Sequence, residues 1–233
     1  MSRTPTSILL GGEAPRVLTI PMLAAALADR RKLPARNTLF RWVRDQVAGG
    51  TLRPVTRGLY LNQLAAPRPA AAEAAGFIRT GAIVSLQTVL GEAGITNNFP
   101  DVVTSVLPHE RGHVSSVRPV KAADIEFRFH SMPARLLDDR AGEVEDRLDL
   151  DVRYPRATPE KALLDWLYLG ASKYSKIAGP PFDLELERLH ASRLRRLART
   201  MGLTEELAAW RARKRNYDAD PDVRENISRD LEM

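Results

Sequence analysis

The chain has 233 residues, 44% hydrophobic and 27% charged, an ordinary balance for a soluble globular protein with room for two domains. It contains no cysteine, so disulfides and thiolate metal sites are excluded, and it shows no apolar run long enough for a signal peptide or a membrane span. The formal charge of +6 is unevenly spread: between Met1 and Arg68, eleven Lys or Arg stand against three Asp or Glu, a local +8 that leaves −2 for the rest.

Ser2 to Arg16 is punctuated by Pro and Gly, with one short apolar element at Ser7 to Leu10. Thr19 stands as an N-cap, and Pro21 sits where a missing N–H costs least, which predicts a helix to about Asp29. From Pro34 to Leu61 the pattern is more specific. Leu39, Val43 and Val47 recur every four residues with Phe40 and Trp42 beside them, so a helix is predicted with all five on one arc. The opposite arc holds Asn37, Thr38, Arg41, Arg44 and Asp45. Gly49-Gly50 ends the helix, and two extended runs follow, Leu52 to Thr56 and Leu59 to Leu61, joined at Arg57-Gly58. An amphipathic helix with a basic outer face, followed by an Arg-tipped hairpin, is the pattern of a winged helix-turn-helix on double-stranded DNA. Arg36, Asn37, Thr38, Arg41 and Arg44 are then the candidates for the major groove, and Arg53 and Arg57 for the phosphate backbone.

Ala65-Ala66-Pro67-Arg68-Pro69 reads as the linker, dividing a DNA-binding domain at 1–66 from a mixed α and β domain at 69–215, with a polar tail at 216–233. The fold class expected is α+β. In the second domain a helix is predicted over Ala70 to Arg79 and a buried strand at Ala82 to Val84. Ser85 is placed to cap a helix from Leu86 to Glu92, which Gly91 and Gly94 close. Strands follow at Asp101 to Leu107, Val114 to Val120 and Asp124 to His130, the last alternating Ile125, Phe127 and Phe129 with Glu126, Arg128 and His130. Leu148, Leu150, Val152 and Tyr154 alternate in the same way. Thr158 caps a helix with Pro159 in its first turn, Glu160 near its positive end and Gly170 as terminator; Ala162, Leu163, Trp166, Leu167 and Leu169 make it mostly buried. Lys161 and Asp165 stand at i and i+4, the spacing of an ion pair. A long amphipathic helix from Leu186 to Met201 and another from Thr204 to Arg215 complete the chain.

Three patterns mimic catalytic sites. His109-Glu110-Arg111-Gly112-His113 matches HExxH, but that motif needs a helix to converge its histidines, and Pro108, Gly112 and the flanking β-branched runs point to a hairpin loop. Asp149 and Asp151 share a strand face without the Gly-Ser helix start of a nucleotidyltransferase, and read as solvated. Pro100-Asp101 with Glu126-Phe127-Arg128 echoes a nuclease, with Arg where a titratable Lys is usual. A metal-dependent nuclease using Asp101 and Glu126 is the enzymatic alternative. The main reading is a protein without catalytic residues, metal or cofactor, in the cytoplasm.

Three blocks together resemble the AbiEi-type antitoxins of abortive-infection (type IV) toxin–antitoxin systems, which are bacterial transcriptional regulators. They are the hairpin end Arg57-Gly58-Leu59-Tyr60, the segment Ile83-Val84-Ser85-Leu86-Gln87-Thr88-Val89-Leu90-Gly91-Glu92-Ala93-Gly94, and Ala157-Thr158-Pro159-Glu160-Lys161-Ala162-Leu163-Leu164-Asp165. The likeness runs from about Thr19 to about Gly170, and no motif after Gly170 matches. It implies promoter binding, autorepression, and counteraction of a nucleotidyltransferase-like toxin encoded alongside. The motif residues Ser85, Thr158, Pro159, Glu160, Lys161 and Asp165 are expected to act mainly in the fold, since helix starting explains their types.

Overall fold

The computed structural model describes residues 14–28, 34–96, 101–109, 116–122, 124–137, 148–149 and 152–220. Among them the chain forms eight α-helices and two β-sheets, an α+β fold. It divides into two units, Met1–Thr80 with Pro119–Phe127, and Gly81–Arg118 with Arg128–Met233.

In the first unit β1 (Val17–Thr19) runs directly into α1 (Ile20–Ala26). The helix starts as its sequence dictates: Thr19 Oγ1 accepts from the Met22 N–H at 3.4 Å, and Pro21 occupies the first turn. Then come α2 (Arg36–Ala48), β2 (Leu52–Thr56) and β3 (Leu59–Asn62). The three strands form an antiparallel sheet in the order β1-β3-β2. Pro54 has no N–H to give a ladder, and β2 accepts it because it is an edge strand; the register shifts just beyond, between Pro54 and Thr56. Gly58, at φ +82°, makes the turn into β3. Leu18, Leu23, Leu39, Val43 and Leu52 form the buried cluster, each contributing about 1.5–3 kcal/mol of apolar burial. A 3₁₀ turn (Ala71–Ala74) and α3 (Ala75–Ile78) close this part of the chain. Glu73 in that turn accepts two hydrogen bonds from Arg16, at 2.7 and 2.8 Å.

The second sheet takes β4 (Ile83–Val84), β5 (Val102–His109), β6 (Ser116–Ala122) and β7 (Ile125–Pro133) in the order β4-β5-β7-β6. Between β4 and β5 lies α4 (Leu86–Glu92), and α5 (Ala134–Leu137) follows β7. The central helix of the second unit is α6 (Pro159–Ala171), which packs on α4, and on α7 (Ala191–Met201) and α8 (Thr204–Ala219). Leu163, Leu164, Leu167 and Leu169 of α6 are buried. Thr158 caps it by accepting from the Lys161 N–H at 3.4 Å, with Pro159 in the first turn.

Several boundaries differ from the sequence expectation. The first helix stops at Ala26, before Asp29. The alanine-rich stretch after Pro69 is a 3₁₀ turn and a short helix rather than one helix. Leu148 makes only an isolated bridge to Ala157, so no regular strand is seen there among the described residues. The expected helix from Leu186 is a 3₁₀ turn (Leu186–Arg188) and then α7, because Glu160 of α6 accepts the His190 N–H at 2.7 Å and seats the new helix start. Gly170 is not a terminator: α6 continues to Ala171, and a Cβ on Gly170 would lie 2.5 Å from Gly179 Cα, so close backbone approach explains the glycine. Trp166 is half-buried, and its indole N–H donates to the Ala178 carbonyl at 2.9 Å. The polar tail begins later than 216, since α8 carries Tyr217 against the Phe182 ring, 5.9 Å between centroids, and Asp218 against Lys214 at 3.2 Å. The apolar segment Ser7 to Leu10 lies outside the described residues.

Candidate nucleic-acid interface

Helix α2 divides its faces as its sequence period requires. Leu39 and Val43 are 5% and 4% exposed, while Arg36, Asn37, Thr38, Arg41, Arg44 and Asp45 all face solvent. Arg41 has no ion-pair partner among the described residues, and Arg44 has only its exposed neighbour Asp45 at 3.8 Å. Such a loose surface pair holds little energy and leaves the guanidinium available. At the β2–β3 turn Arg57 is exposed and likewise has no ion-pair partner among the described residues.

Two residues depart from the sequence expectation. Arg53 is half-buried, and its Nη2 donates to Asp124 Oδ2 at 2.6 Å, so a carboxylate of the same unit holds the charge assigned to phosphate. Phe40, expected on the buried arc, is 42% exposed. The Arg36 guanidinium lies over its ring, 5.5 Å from the centroid. Arg36, Phe40 and Arg44 therefore form one i, i+4 row beside the outward arc. A helical-wheel angle near the edge of the apolar arc was the only sequence signal available for Phe40.

The family-like motif residues gather in the second unit as a buried polar network. Ser85 does not cap α4; its hydroxyl donates to Asp165 Oδ2 at 2.7 Å. The other carboxylate oxygen of Asp165 accepts from Lys161 Nζ. Ser85 and Asp165 are both 0% exposed and Lys161 is 2% exposed. Ser85 is fixed from both sides of its backbone by Thr104, whose carbonyl accepts its N–H at 3.0 Å and whose hydroxyl donates to its carbonyl at 2.7 Å. The next residue, Leu86, has φ +55°, a left-handed conformation that a non-glycine residue adopts at a cost of roughly 1–3 kcal/mol. Glu160, 1% exposed, accepts from the His190 N–H and from Arg193 at 3.4 Å. Ser85, Asp165 and Glu160 are shut off from solvent and each tied to a second element, while Lys161 neutralises Asp165 from within α6. The chemistry the arrangement supports is clamping β4, α4, α6 and α7 together.

The sequence reading missed Arg156. Its guanidinium donates to Asp149 and reaches Glu92 at 3.1 Å, so Asp149 is paired rather than solvated. Burial pushes the Glu92 carboxyl above its usual range, opposed by Arg156. It also missed His130, which is 8% exposed with Nε2 lacking a hydrogen-bond partner. Burial, helped by the nearby Arg128 charge, pushes its pKa down to about 4.

His109 closes strand β5, and the remaining residues of the HExxH match, Glu110, Arg111, Gly112 and His113, lie outside the described residues. Asp151 lies outside them as well. Asp101 is exposed just before β5 in the second unit, and Glu126 is half-buried on β7 within the part assigned to the first. Among the described residues no group of three or more His, Asp or Glu is placed to hold a metal ion, and no helix is long and apolar enough to cross a membrane. No family model and no curated protein matches the chain.

Proposed function

We propose that the first unit is a winged helix that binds double-stranded DNA, and that the protein is a transcriptional regulator of the antitoxin kind its motifs resemble. The observation that carries this reading is the outward face of α2. Asn37, Thr38, Arg41 and Arg44 are exposed opposite Leu39 and Val43, in the part of the chain that concentrates the basic charge. An α-helix of ordinary diameter enters a major groove about 12 Å wide, and clustered arginines release condensed counterions on doing so.

The structural details refine the roles. Arg57, exposed at the hairpin turn, is the wing's phosphate contact; Arg53 contributes less, because Asp124 already holds it. Phe40, exposed between Arg36 and Arg44, is suited to an apolar contact with a thymine methyl group. Autorepression and opposition to a nucleotidyltransferase-like toxin come from the resemblance alone. In this reading the second unit supplies the antitoxin function, and the Ser85–Asp165–Lys161 network keeps it folded.

The test is titration of the full chain against a duplex from upstream of its own gene and a scrambled duplex of equal length. Tighter binding to the upstream duplex, unchanged by magnesium chelation, is expected. Magnesium-dependent cleavage, or no binding at low salt, contradicts the proposal. The antitoxin part is tested separately, by asking whether co-expression relieves growth arrest caused by the neighbouring gene product.

A further inference from the structure

Helices α7 and α8 follow one another across Gly202, whose φ of +69° gives α7 its left-handed cap, and pack together. Leu194, Leu197, Ala198 and Met201 of α7, with Leu207 and Trp210 of α8, face the interior of the second unit. Along the groove between them the two helices leave a cleft of about 490 Å³. Ala198 and Leu207, both almost fully buried, line it together with the exposed Ala208 and Thr204 and with Arg195, Arg199 and Arg211. None of the three arginines has an ion-pair partner among the described residues. The only acidic residues from Ala191 to Arg215 are Glu205 and Glu206, both exposed and neither lining the cleft.

We propose that this cleft binds a small organic anion, a phosphate or carboxylate group carried on an apolar body. Three cations around one space repel each other until an anion joins them, and each guanidinium offers a planar fork that fits a phosphate or carboxylate. Burial above all, then the charges of Arg195 and Arg215, hold the Arg211 pKa below the usual arginine value. The volume lies within the roughly 300–1,000 Å³ of small-molecule sites, whose walls are mostly apolar with a few convergent polar groups. The lining between the arginines is apolar, at Ala198, Leu207 and the exposed Ala208, and suits an apolar body better than a sugar–phosphate backbone. The competing structural account is that the arginine stems merely shield these apolar side chains. It predicts that arginine substitutions change stability and bind nothing. The cleft lies within the second unit, so its test is independent of DNA binding by α2.

The experiment is calorimetric titration of the full chain with 1-naphthyl phosphate, 1-naphthol and inorganic phosphate. Saturable one-to-one binding of 1-naphthyl phosphate is expected, with the two fragments each at least about tenfold weaker. Arg199→Gln and Arg195→Gln should each weaken binding by roughly tenfold through a lost charge-assisted hydrogen bond, with the thermal midpoint unchanged. Absence of binding at millimolar 1-naphthyl phosphate overturns the proposal. So does equal binding of inorganic phosphate, or undiminished binding by the Arg195→Gln/Arg199→Gln double variant. If that double variant instead loses affinity for duplex DNA while 1-naphthyl phosphate never binds, the arginines belong to a phosphate-backbone surface and the small-anion assignment is wrong.

Discussion

Replacing Asp165 with Asn would test whether the buried network holds the second unit together. Asp165 accepts from the Ser85 hydroxyl at 2.7 Å and from the Lys161 ammonium, and neither Asp165 nor Lys161 exposes more than 2% of its surface. The amide keeps the shape but removes the charge, leaving the lysine cation buried without its counterion. Removing one partner of a buried pair costs about 3–5 kcal/mol. The double variant Lys161→Met/Asp165→Leu removes both charges at similar volume, which is often close to neutral for the pair itself. What remains is the Ser85 hydroxyl with its acceptor gone, at about 1–3 kcal/mol. The double variant should therefore be more stable than Asp165→Asn by roughly 2 kcal/mol. The chain's three tryptophans are Trp42 in the first unit and Trp166 and Trp210 in the second, so a Trp42→Phe background makes fluorescence report the second unit alone. Urea unfolding in that background gives the shift in midpoint at constant slope. A loss below about 1 kcal/mol for Asp165→Asn, or a double variant as unstable as the single, would refute the clamp.

Further predictions follow from other parts of the fold. His130 is neutral when folded, with a pKa of about 4 against about 6.5 for the unfolded chain. Between those values the unfolded state binds the extra proton, so its full contribution is present above pH 6.5 and falls as pH drops towards 4, by about 3 kcal/mol in all. Urea midpoints at pH 7.5, 5.5 and 4.5 should show that loss, and His130→Gln should reduce it. Gly170→Ala forces a methyl against Gly179 and should destabilise by about 1–3 kcal/mol in the same assay, whereas Gly179→Ala, with open space at its Cβ, should cost less. If Phe40 touches thymine, replacing thymine by deoxyuridine in the bound duplex weakens wild-type binding and leaves Phe40→Ala unaffected; equal effects on both would remove Phe40 from the base contacts.

Local signals carried much of this fold into the sequence. Thr19-x-Pro21 and Thr158-Pro159 mark helix starts because capping and proline geometry act within four residues, and both caps form. The period of Leu39 and Val43 set the buried face of α2 for the same reason. Long-range partners were not legible. Ser85 reads as a cap from its neighbours, yet its hydroxyl goes to Asp165, eighty residues away in sequence. Glu160 reads as a helix-dipole acid, yet it seats the start of α7. Gly170 stands where helices often end, and only the approach of Gly179 explains it. Arg53 and Asp124 are 71 residues apart, so no local pattern announces their pairing. At the candidate interface the sequence placed the charges on one face; it did not show which arginine was already engaged, nor that Phe40 joined the exposed row.

The central claim, that the α2 face reads DNA while the hairpin turn grips its backbone, is tested most directly by comparing Arg41→Ala with Arg57→Ala. Each is measured by fluorescence anisotropy against the upstream duplex and a scrambled duplex, across a series of salt concentrations. Arg41→Ala should lose discrimination, by about 1–3 kcal/mol on the upstream duplex, with little change on the scrambled one. Arg57→Ala should weaken both duplexes about equally and flatten the salt slope by roughly one unit. If Arg57→Ala abolishes discrimination while Arg41→Ala preserves it, the hairpin is the reader and the assignment to α2 is wrong. If neither changes affinity for either duplex, this surface does not bind DNA.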